Sequence, residues 1–450
     1  MSEHFDLIVL GSGSAARDGA NKAAREHGAR VALVEHTRWG GGCPNVACKP
    51  TKAYLVAAEL AHDLRTLAVK LGIDVGPART NLAKVKARKD SLVVSKETWL
   101  GRLRDAGHTP YEGIGSFVDP QTVQVNGTRL SAERVLVATG SRTAVPPIEG
   151  LDEVGWIDHV SALELTELPA SLLVVGGGPV GLELAQIFSR FGAEVTVVQV
   201  PDRISPRSDA DATEQLAAAL ADEGIEIRTG TTVSRARRED GAIVASVGDD
   251  EVRVDRILLA SGRAPNLEQL DLDRIGLEHT RAGITVDERL RTSVEGIWAA
   301  GDVTNAHQFT PVAQYEARVA VDDMWGNGAR ADYDWLPTAI FTDPELAAVG
   351  LTEQAARARG LDVETAVHPI RYVQRSSYTD VKHGLYKLVW ERETRRMLGL
   401  HVVCRNASDV VQGLALALKL GATVDDLARM HHAFPTWGEG VKAAAEQALL

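Results

Sequence analysis

Residues 5–36 read FDLIVLGSGSAARDGANKAAREHGARVALVEH. The stretch is typical of an apolar strand, a glycine-rich turn, an amphipathic helix and a second apolar strand that ends in an acid. Its fingerprint is Gly11-x-Gly13-x-x-Ala16, whose glycines let the backbone turn tightly and approach a pyrophosphate at the helix N-terminus. Glu35 can accept hydrogen bonds from an adenosine ribose. One such fingerprint is weak evidence, because an ordinary tight turn uses the same glycines.

A second stretch repeats this pattern. Residues 171–200 read SLLVVGGGPVGLELAQIFSRFGAEVTVVQV, with the fingerprint Gly176-x-Gly178-x-x-Gly181. Each fingerprint lies inside a complete strand-turn-helix-strand unit, so the sequence predicts an α/β protein with two Rossmann-like dinucleotide-binding domains. The chain should bind two adenine dinucleotides, or one dinucleotide and a relative.

Composition excludes several classes of protein. The chain has 450 residues and 44% hydrophobic content, enough for several cores. Its 49 Lys and Arg against 61 Asp and Glu give a net charge of −12 without long like-sign runs, so we expect no nucleic-acid partner. No apolar run is long enough to span a bilayer, and the N-terminus enters a strand without a signal-peptide pattern. We therefore expect a cytoplasmic protein with no membrane partner.

The cysteines form an unusual pair. Residues 40–52 read GGGCPNVACKPTK and hold Cys43 and Cys48, spaced too widely for a Cys-x-x-Cys motif. Three cysteines cannot build a structural disulfide framework, so a bond between these two should be one that cycles. The pair lies near the start of a predicted helix, where backbone N–H groups stabilise a thiolate. Cys404 is expected to be a small apolar core residue. Two dinucleotides and a cysteine pair suggest an electron path from nicotinamide to flavin to disulfide.

The cysteine segment resembles that of the group I pyridine nucleotide-disulfide oxidoreductases, the family of glutathione reductase, lipoamide dehydrogenase and mercuric reductase. Between and after the two fingerprints, further segments resemble the family in its order: ATGSRTAVP at 138–146, LLASGRAPN at 258–266, GIWAAGDVT at 296–304 and LPTAIFTDPELAAVGLTE at 336–353. The resemblance implies four parts: an FAD-binding domain with the cysteine segment at 1–148, an NAD(P)H-binding domain at 149–267, a return to the FAD/central domain at 268–333, and an α+β interface (dimerisation) domain at 334–450. A homodimer is implied.

The resemblance also assigns residues. It implies that Cys48 faces the flavin, that Cys43 attacks the substrate, and that Lys52 and Glu183 form an ion pair beside the flavin and the nicotinamide. The residues implied at FAD are Gly11, Gly13, Ala16, Glu35, Gly41, Gly42, Thr139, Gly140, Gly301 and Asp302. Those implied at NAD(P)H are Gly176, Gly178, Gly181, Gly262 and Arg263. Gly42 replaces the family's usual threonine and Ala47 its usual glycine, so the loop is expected to be looser.

The nicotinamide cofactor should depend on the residue that ends the second strand of the downstream unit. An acid there would bond a ribose 2′-hydroxyl and repel a 2′-phosphate, whereas this chain has Gln199. Arg203 and Arg207 follow within reach of a phosphate. NADPH is therefore favoured over NADH.

The C-terminal tail departs from the family at its acid-base residue. The usual His-x-His-Pro, with a later Glu that orients the second histidine, here places Phe434 at the second position, followed by Glu439. Mercuric reductase also lacks this histidine, although it hands its metal inward through paired C-terminal cysteines that this sequence lacks. Whether His431 or His432 replaces the base stays open.

Three functions are compatible with these features. The leading one is an FAD-containing, NAD(P)H-dependent oxidoreductase acting on a sulfur group, which passes electrons through the Cys43–Cys48 disulfide to a disulfide, a metal ion or another thiol-reactive acceptor. No resident metal is expected. The second is carbon–carbon cleavage like that of 2-ketopropyl-coenzyme M oxidoreductase/carboxylase, which also places Phe in the tail but has His where this chain has Glu439. The third is a slow-turnover, redox-sensing flavoprotein.

Overall fold

The computed structural model describes residues 2–77, 79–304 and 307–450. These residues form two compact units, each built from three stretches of chain. The first unit comprises residues 1–50, 88–144 and 262–332, and the second comprises 51–87, 145–261 and 333–450. Each unit contains a parallel sheet with a glycine turn that leads into a helix, so the expected α/β class is confirmed.

A five-stranded parallel sheet forms the centre of the first unit. Its strands follow the order Ile297–Ala299, Val135–Val137, Leu7–Leu10, Val31–Glu35 and Thr109–Glu112. The two middle strands are buried along their whole length, as expected for apolar strands covered on both faces. Helices Ser14–His27 and Thr310–Met324 pack together in the same hydrophobic cluster as this sheet. The parallel order brings the chain's first glycine turn to one end of the sheet.

Smaller sheets complete the first unit. A four-stranded sheet has the order Ser2–Phe5, Thr128–Ala132, Thr122–Val125 and Gly115–Asp119. Two-stranded sheets pair Arg263–Pro265 with Ser141–Thr143, and His279–Thr280 with Gly283–Ile284.

The second unit begins with the other parallel sheet. Its order is Glu226–Thr229, Glu194–Gln199, Ser171–Val175 and Arg256–Leu259. Helices Pro179–Phe191 and Ala210–Asp222 share a hydrophobic cluster with it. An antiparallel sheet of Val233–Glu239, Ala242–Val247 and Asp250–Val254 follows in the chain.

The C-terminal part of the second unit is an antiparallel sheet covered by helices. The strand order is Thr338–Ile340, Glu345–Gly350, Met397–Cys404, Leu385–Glu391 and Val363–Pro369. Helices Ala407–Lys419, Val424–Arg429 and Glu439–Glu446 pack in the cluster of this sheet. Cys404 is fully buried there, and burial raises the pKa of its thiol to about 12, as suits the core residue that the sequence predicts.

Further helices complete the described chain. The remaining α-helices are Gly42–Asn45, Cys48–Arg65, Leu67–Lys70, Leu82–Asp90, Lys96–Asp105, Leu151–Val154, His159–Ala162, Glu353–Ala358 and Gln374–Thr379. Single 3₁₀ turns are Leu272–Ile275, Ile370–Tyr372 and Gln447–Leu449. Within the described ranges, no helix is both long and apolar enough to cross a membrane.

The compact units and the expected domains are different divisions of the chain, and the domain boundaries stay a prediction. The sequence predicts boundaries at 148/149 and 267/268, whereas the compact units change at 144/145 and 261/262. Strand pairing explains the second difference, because Arg263–Pro265 pairs with Ser141–Thr143 of the first unit. Residues 51–87 also group with the second unit.

A buried cation joins elements that are distant in sequence within the second unit. Lys387 is 4% exposed, and its Nζ lies 3.1 Å from Asp209, 2.7 Å from Asp211 and 3.0 Å from Glu353. Burial alone would lower the pKa of Lys387, but the surrounding carboxylates raise it, so the ammonium stays charged. Its three N–H donors match three acceptors.

Removing this cation should destabilise the second unit. Lys387→Met keeps most of the side-chain volume but leaves the buried Asp209 carboxylate, and the partly exposed Asp211 and Glu353, without this counter-charge, which should cost less than the roughly 3–5 kcal/mol typical of a fully buried pair. We expect the midpoint of thermal unfolding to fall by several degrees. Lys382→Met, at an exposed lysine nearby in the chain, is the control and should unfold like wild type. Equal midpoints for the two variants would contradict the prediction.

Candidate functional site

The first glycine turn is a place where only backbone fits. Gly11 has φ +111°, and a Cβ added to it would lie 2.3 Å from the Ala138 carbonyl oxygen. Gly13 directly precedes helix Ser14–His27, and a Cβ added to Gly41 would lie 2.4 Å from the Gly13 Cα. Two turns therefore meet backbone to backbone in front of a helix N-terminus. This cradle fits the pyrophosphate of a dinucleotide, because exposed N–H groups and the helix dipole both favour an anion.

Glu35 is held in place by its neighbours. The Ser12 hydroxyl donates to Oε2 at 2.7 Å, and the backbone N–H groups of His36 and Thr37 donate to Oε1 at 2.9 and 2.8 Å. Ser12 also accepts a hydrogen bond from Gly40 N–H at 3.0 Å. One serine thus ties the expected ribose-binding acid to the cysteine-bearing loop. Sequence reasoning missed Ser12, which lies inside the fingerprint at a position where any residue is allowed.

The two cysteines lie on consecutive helices, at positions that belong to the first unit. Cys43 belongs to helix Gly42–Asn45 and is partly exposed, whereas Cys48 is exposed at the start of helix Cys48–Arg65. The Cys48 Sγ lies 3.6 Å from the hydroxyl of Thr310, the first residue of helix Thr310–Met324. A thiolate here is favoured by the hydroxyl and by the positive end of a helix. Thr310 gave no signal in the sequence analysis.

Other residues expected at FAD form a linked group in the first unit. Thr139 and Asn266 exchange two hydrogen bonds, of 2.9 and 3.0 Å, between side chain and backbone. The Asp302 carboxylate accepts hydrogen bonds from Ser141 at 2.5 Å and from Arg263 at 3.3 Å. Arg263, expected at the nicotinamide, therefore lies in the first unit and pairs with a residue expected at FAD.

Glycines with positive φ lie next to several residues of this group. Gly140 and Gly301 both have positive φ, and the Gly301 N–H donates to buried Glu316 at 2.6 Å. Gly262 has φ +116° and immediately precedes the strand that carries Arg263.

The second glycine turn repeats the first in the second unit. Gly176 has φ +116°, and an added Cβ would lie 2.3 Å from the Ala260 carbonyl oxygen. A Cβ on Gly181 would lie 1.9 Å from the Gly176 oxygen, so this position needs glycine for close helix–strand packing. Gly178 precedes helix Pro179–Phe191. The turn therefore fits a second pyrophosphate.

Gln199 closes this turn from the adjacent strand. Its Oε1 accepts a hydrogen bond from the Gly177 N–H at 2.8 Å. Arg203 donates through Nη2 to the Pro206 carbonyl at 2.7 Å, and Arg207 is exposed. Of Gln199, Arg203 and Arg207, Gln199 is thus the one with a described hydrogen bond to the turn.

The expected ion pair is present in the second unit. The Lys52 Nζ lies 2.6 Å from the Glu183 Oε2, with Glu183 buried and Lys52 36% exposed. The Phe341 N–H donates to the other oxygen of Glu183 at 3.0 Å. The Lys52 Nζ also lies 4.4 Å from the centroid of the Phe341 ring. Phe341 was missed, although it lies in a segment that the sequence analysis singled out.

The C-terminal tail also belongs to the second unit. Phe434 is 73% exposed. Glu439 begins the last α-helix, and its Oε1 accepts a hydrogen bond from the Gln374 N–H at 2.7 Å. Its Oε2 is buried and has no hydrogen-bond partner among the described residues. Burial lowers the pKa of His432, with Lys442 adding to the effect and Glu439 opposing it, which favours a neutral imidazole.

Comparison with known families agrees with this geometry. Residues 5–317 match the family described as pyridine nucleotide-disulphide oxidoreductase, and residues 336–445 match the dimerisation domain of that family. The chain belongs to this family. As a member, it is an FAD-dependent oxidoreductase that uses a pyridine nucleotide, which confirms the expected family and class of enzyme.

Individual relatives cover nearly the whole chain. Mercuric reductase of Staphylococcus aureus is 37% identical over 98% of this chain and 82% of its own length. Dihydrolipoyl dehydrogenase of Thermus scotoductus is 38% identical over 98% of this chain and 97% of its own length. Among solved structures, the Cu(II) complex of the HOCl-induced flavoprotein disulfide reductase RclA from Escherichia coli has a TM-score of 0.89 and 28% identity, covering 99% of this chain and 100% of that one. Proteins similar to this chain are thus named both for metal substrates and for disulfide substrates.

Adjacent glycines of the cysteine segment allow a matched test of the FAD cradle. Gly41→Ala should purify with little bound flavin, because Gly41 has φ +75° and the added methyl group would meet the Gly13 backbone. Gly42→Ala should retain flavin, because a Cβ there meets nothing within 4 Å. The measurement is the ratio of flavin to protein absorbance after purification. Equal flavin content in the two variants would contradict the role of Gly41.

Proposed function

We propose that the protein reduces a thiophilic metal ion, in the first place Hg(II), at the expense of NADPH. The observation that carries the proposal is the phenylalanine at position 434, where the family's tail is expected to present a histidine. Reduction of a disulfide releases a thiolate that must be protonated, and a positioned acid typically contributes 10²–10⁴-fold to such a step. Delivery of two electrons to a thiolate-bound metal needs no such acid.

Both comparisons support a metal substrate. The relatives named mercuric reductase match 98% of the chain, and RclA was solved as a Cu(II) complex. Cys43 and Cys48 are five residues apart in the sequence, and the metal would be bound at this pair. The partial exposure of Cys43, the thiol expected to meet the substrate, is compatible with access of the metal.

Different residues of the chain have different roles in the proposed reaction. Bound FAD supplies two-electron chemistry between the nicotinamide and the cysteine pair. The Cys43 and Cys48 thiolates bind the metal as soft ligands, and Thr310 favours the ionised form of Cys48. The pair Lys52 and Glu183 orders the site at which the nicotinamide is expected. The overall reaction balances as Hg²⁺ + NADPH → Hg⁰ + NADP⁺ + H⁺.

A cytoplasmic homodimer is part of the proposal. The match to the family's dimerisation domain supports it. Large apolar side chains are also exposed on the C-terminal part of the second unit, among them Leu416, Leu420, Tyr372 and Phe434. A partner subunit would remove these side chains from water.

The expected preference for NADPH should weaken when residue 199 carries a negative charge. Gln199→Glu keeps the acceptor for the Gly177 N–H but adds a negative charge, which should lower the ratio of kcat/KM for NADPH over NADH about fivefold or more, since charges 4 Å apart interact by about 1 kcal/mol in water. Arg203→Ala and Arg207→Ala should lower it too, because a 2′-phosphate needs a cation. Arg256→Ala, at an exposed arginine of the same sheet, is the control. Equal use of both nucleotides by wild type would remove the basis of the prediction.

The choice of acceptor should depend on Phe434. Wild type should reduce Hg(II) in the presence of excess thiol but turn over small disulfides slowly. Phe434→His should raise disulfide turnover roughly 10-fold or more, toward the range of general acid catalysis. The double variant with Glu439→Gln should lose part of this gain, because the Glu439 Oε2 has unused acceptor capacity within the described chain. Steady-state NADPH oxidation with an acceptor panel is the measurement.

Two variants separate the cysteine path from side reactions. Cys43→Ser and Cys48→Ser should both lose Hg(II) reduction while retaining NADPH oxidation by a quinone, which takes electrons without the cysteines. Fast reduction of glutathione disulfide by wild type, at tens of turnovers per second, would contradict the proposal. A histidine variant no faster than wild type would show that protons reach the site by another route, with His432 as the first residue to examine.

A further inference from the structure

One face of helix Pro179–Phe191 contacts a single short segment of the second unit. Glu183, Gln186 and Arg190 are spaced by three and four residues, so they lie on the same side of the helix. All three bind residues of segment 341–343. The segment follows strand Thr338–Ile340. The expected ion-pair residue Glu183 is thus the first member of a continuous polar row.

Asp343 is the fixed end of this row. Its backbone N–H donates to the Gln186 Oε1 at 2.8 Å, and its carbonyl accepts from the Gln186 Nε2 at 2.7 Å. Its carboxylate binds Arg190 at 3.0 Å and Arg405 at 3.0 and 3.1 Å. Burial alone would raise the pKa of Asp343, but the two arginines lower it, so the carboxylate stays ionised. Gln186 is fully buried and Arg190 is 4% exposed, so water cannot replace their contacts with Asp343 without opening the core.

Phe341 connects this anchor to the ion pair. Its backbone N–H holds one Glu183 oxygen at 3.0 Å, while Lys52 holds the other at 2.6 Å. Its ring centroid lies 4.4 Å from the Lys52 Nζ, within the distance for a cation–π contact. Phe341 therefore contacts both members of the ion pair. It contacts Glu183 through its main chain and Lys52 through its ring.

We propose that Phe341, anchored through Asp343 to Gln186 and Arg190, is the positioning residue of the Lys52–Glu183 pair. The Phe341 ring holds the Lys52 ammonium in one position, and the Phe341 N–H prevents the Glu183 carboxylate from rotating. The inference rests on the proposed function, in which this pair serves electron entry from NADPH. It adds a specific consequence, since a change at Phe341 should affect the entry of electrons and not their exit to the metal.

The first test measures the lysine itself. Wild type and variants are treated with limiting acetic anhydride, and the acetylation of Lys52 is quantified by mass spectrometry. Phe341→Leu should raise the rate at Lys52 about two- to fivefold, the factor that corresponds to loss of a partly exposed cation–π contact, and Phe341→Tyr should restore it. Lys442 also forms an ion pair, with Glu446, and its rate is the internal control.

The second test separates the two half-reactions by anaerobic stopped flow. Phe341→Leu should slow reduction of the enzyme by NADPH severalfold, whereas reoxidation of dithionite-reduced enzyme by Hg(II) should match wild type. Phe341→Tyr should behave like wild type in both. Phe341 is 37% exposed, so these variants should fold, and Tyr378→Leu at another exposed aromatic side chain is the matched control. Gln186→Met, which removes the anchor at similar volume, should slow the same half-reaction.

The outcomes distinguish this inference from the proposed function. Unchanged acetylation of Lys52 in Phe341→Leu, or equal slowing of both half-reactions, would overturn the positioning role. If Lys52→Met is reduced by NADPH as fast as wild type, the pair is not used and the inference falls, while metal reduction stands. If wild-type enzyme is reduced by NADPH but never reoxidised by Hg(II), the metal substrate is wrong, and the role of Phe341 in electron entry is still supported by the first half-reaction.

Discussion

Both nucleotide turns depend on one steric constraint, the approach of backbone to backbone without any side chain between. In the first unit Gly11 meets Ala138 and Gly41 meets Gly13, and in the second unit Gly176 meets Ala260. A methyl group at these points would lie 2.3–2.4 Å from main-chain atoms, which cannot move without moving a strand. The strand ends, the helix N-termini and the loop that carries the cysteines all take their positions from these contacts.

Charge organises the second unit in a different way. Lys387 and the Asp343 network are buried, and each satisfies its charges with several partners rather than one. Such clusters add little stability compared with apolar packing, but each is costly to break, and each accepts only one arrangement of its members. Helices Pro179–Phe191 and Ala210–Asp222 are therefore fixed against the antiparallel sheet more strictly than apolar contact would require. The Lys52–Glu183 pair lies at the end of one of these networks.

The sequence predicts the turns better than their surroundings. The glycine fingerprints and the cysteine segment could be predicted because each lies in a short motif with its own spacing, whereas the Lys52–Glu183 pair, which spans 131 residues, was implied only by the resemblance to the family. Thr310 and Phe341 could not be predicted, since they contact Cys48 and Glu183 across 262 and 158 residues, and a single sequence carries no information on such pairing. Arg263 contacts Asp302 in the first unit because its strand pairs with Ser141–Thr143, and its expected position beside the nicotinamide stays a prediction. Chain connectivity alone did not reveal that pairing.

Burial of Cys404 has a consequence for how the protein can be observed. Because its thiol is enclosed in the C-terminal core and hard to ionise, it reacts slowly with reagents that require a thiolate. Any alkylating probe added to the native chain therefore counts only the Cys43 and Cys48 thiols, which makes the labelling stoichiometry a direct gauge of their oxidation state. The same enclosure would keep the Cys404 thiol from competing with Cys43 and Cys48 for the soft metal ion of the proposed reaction.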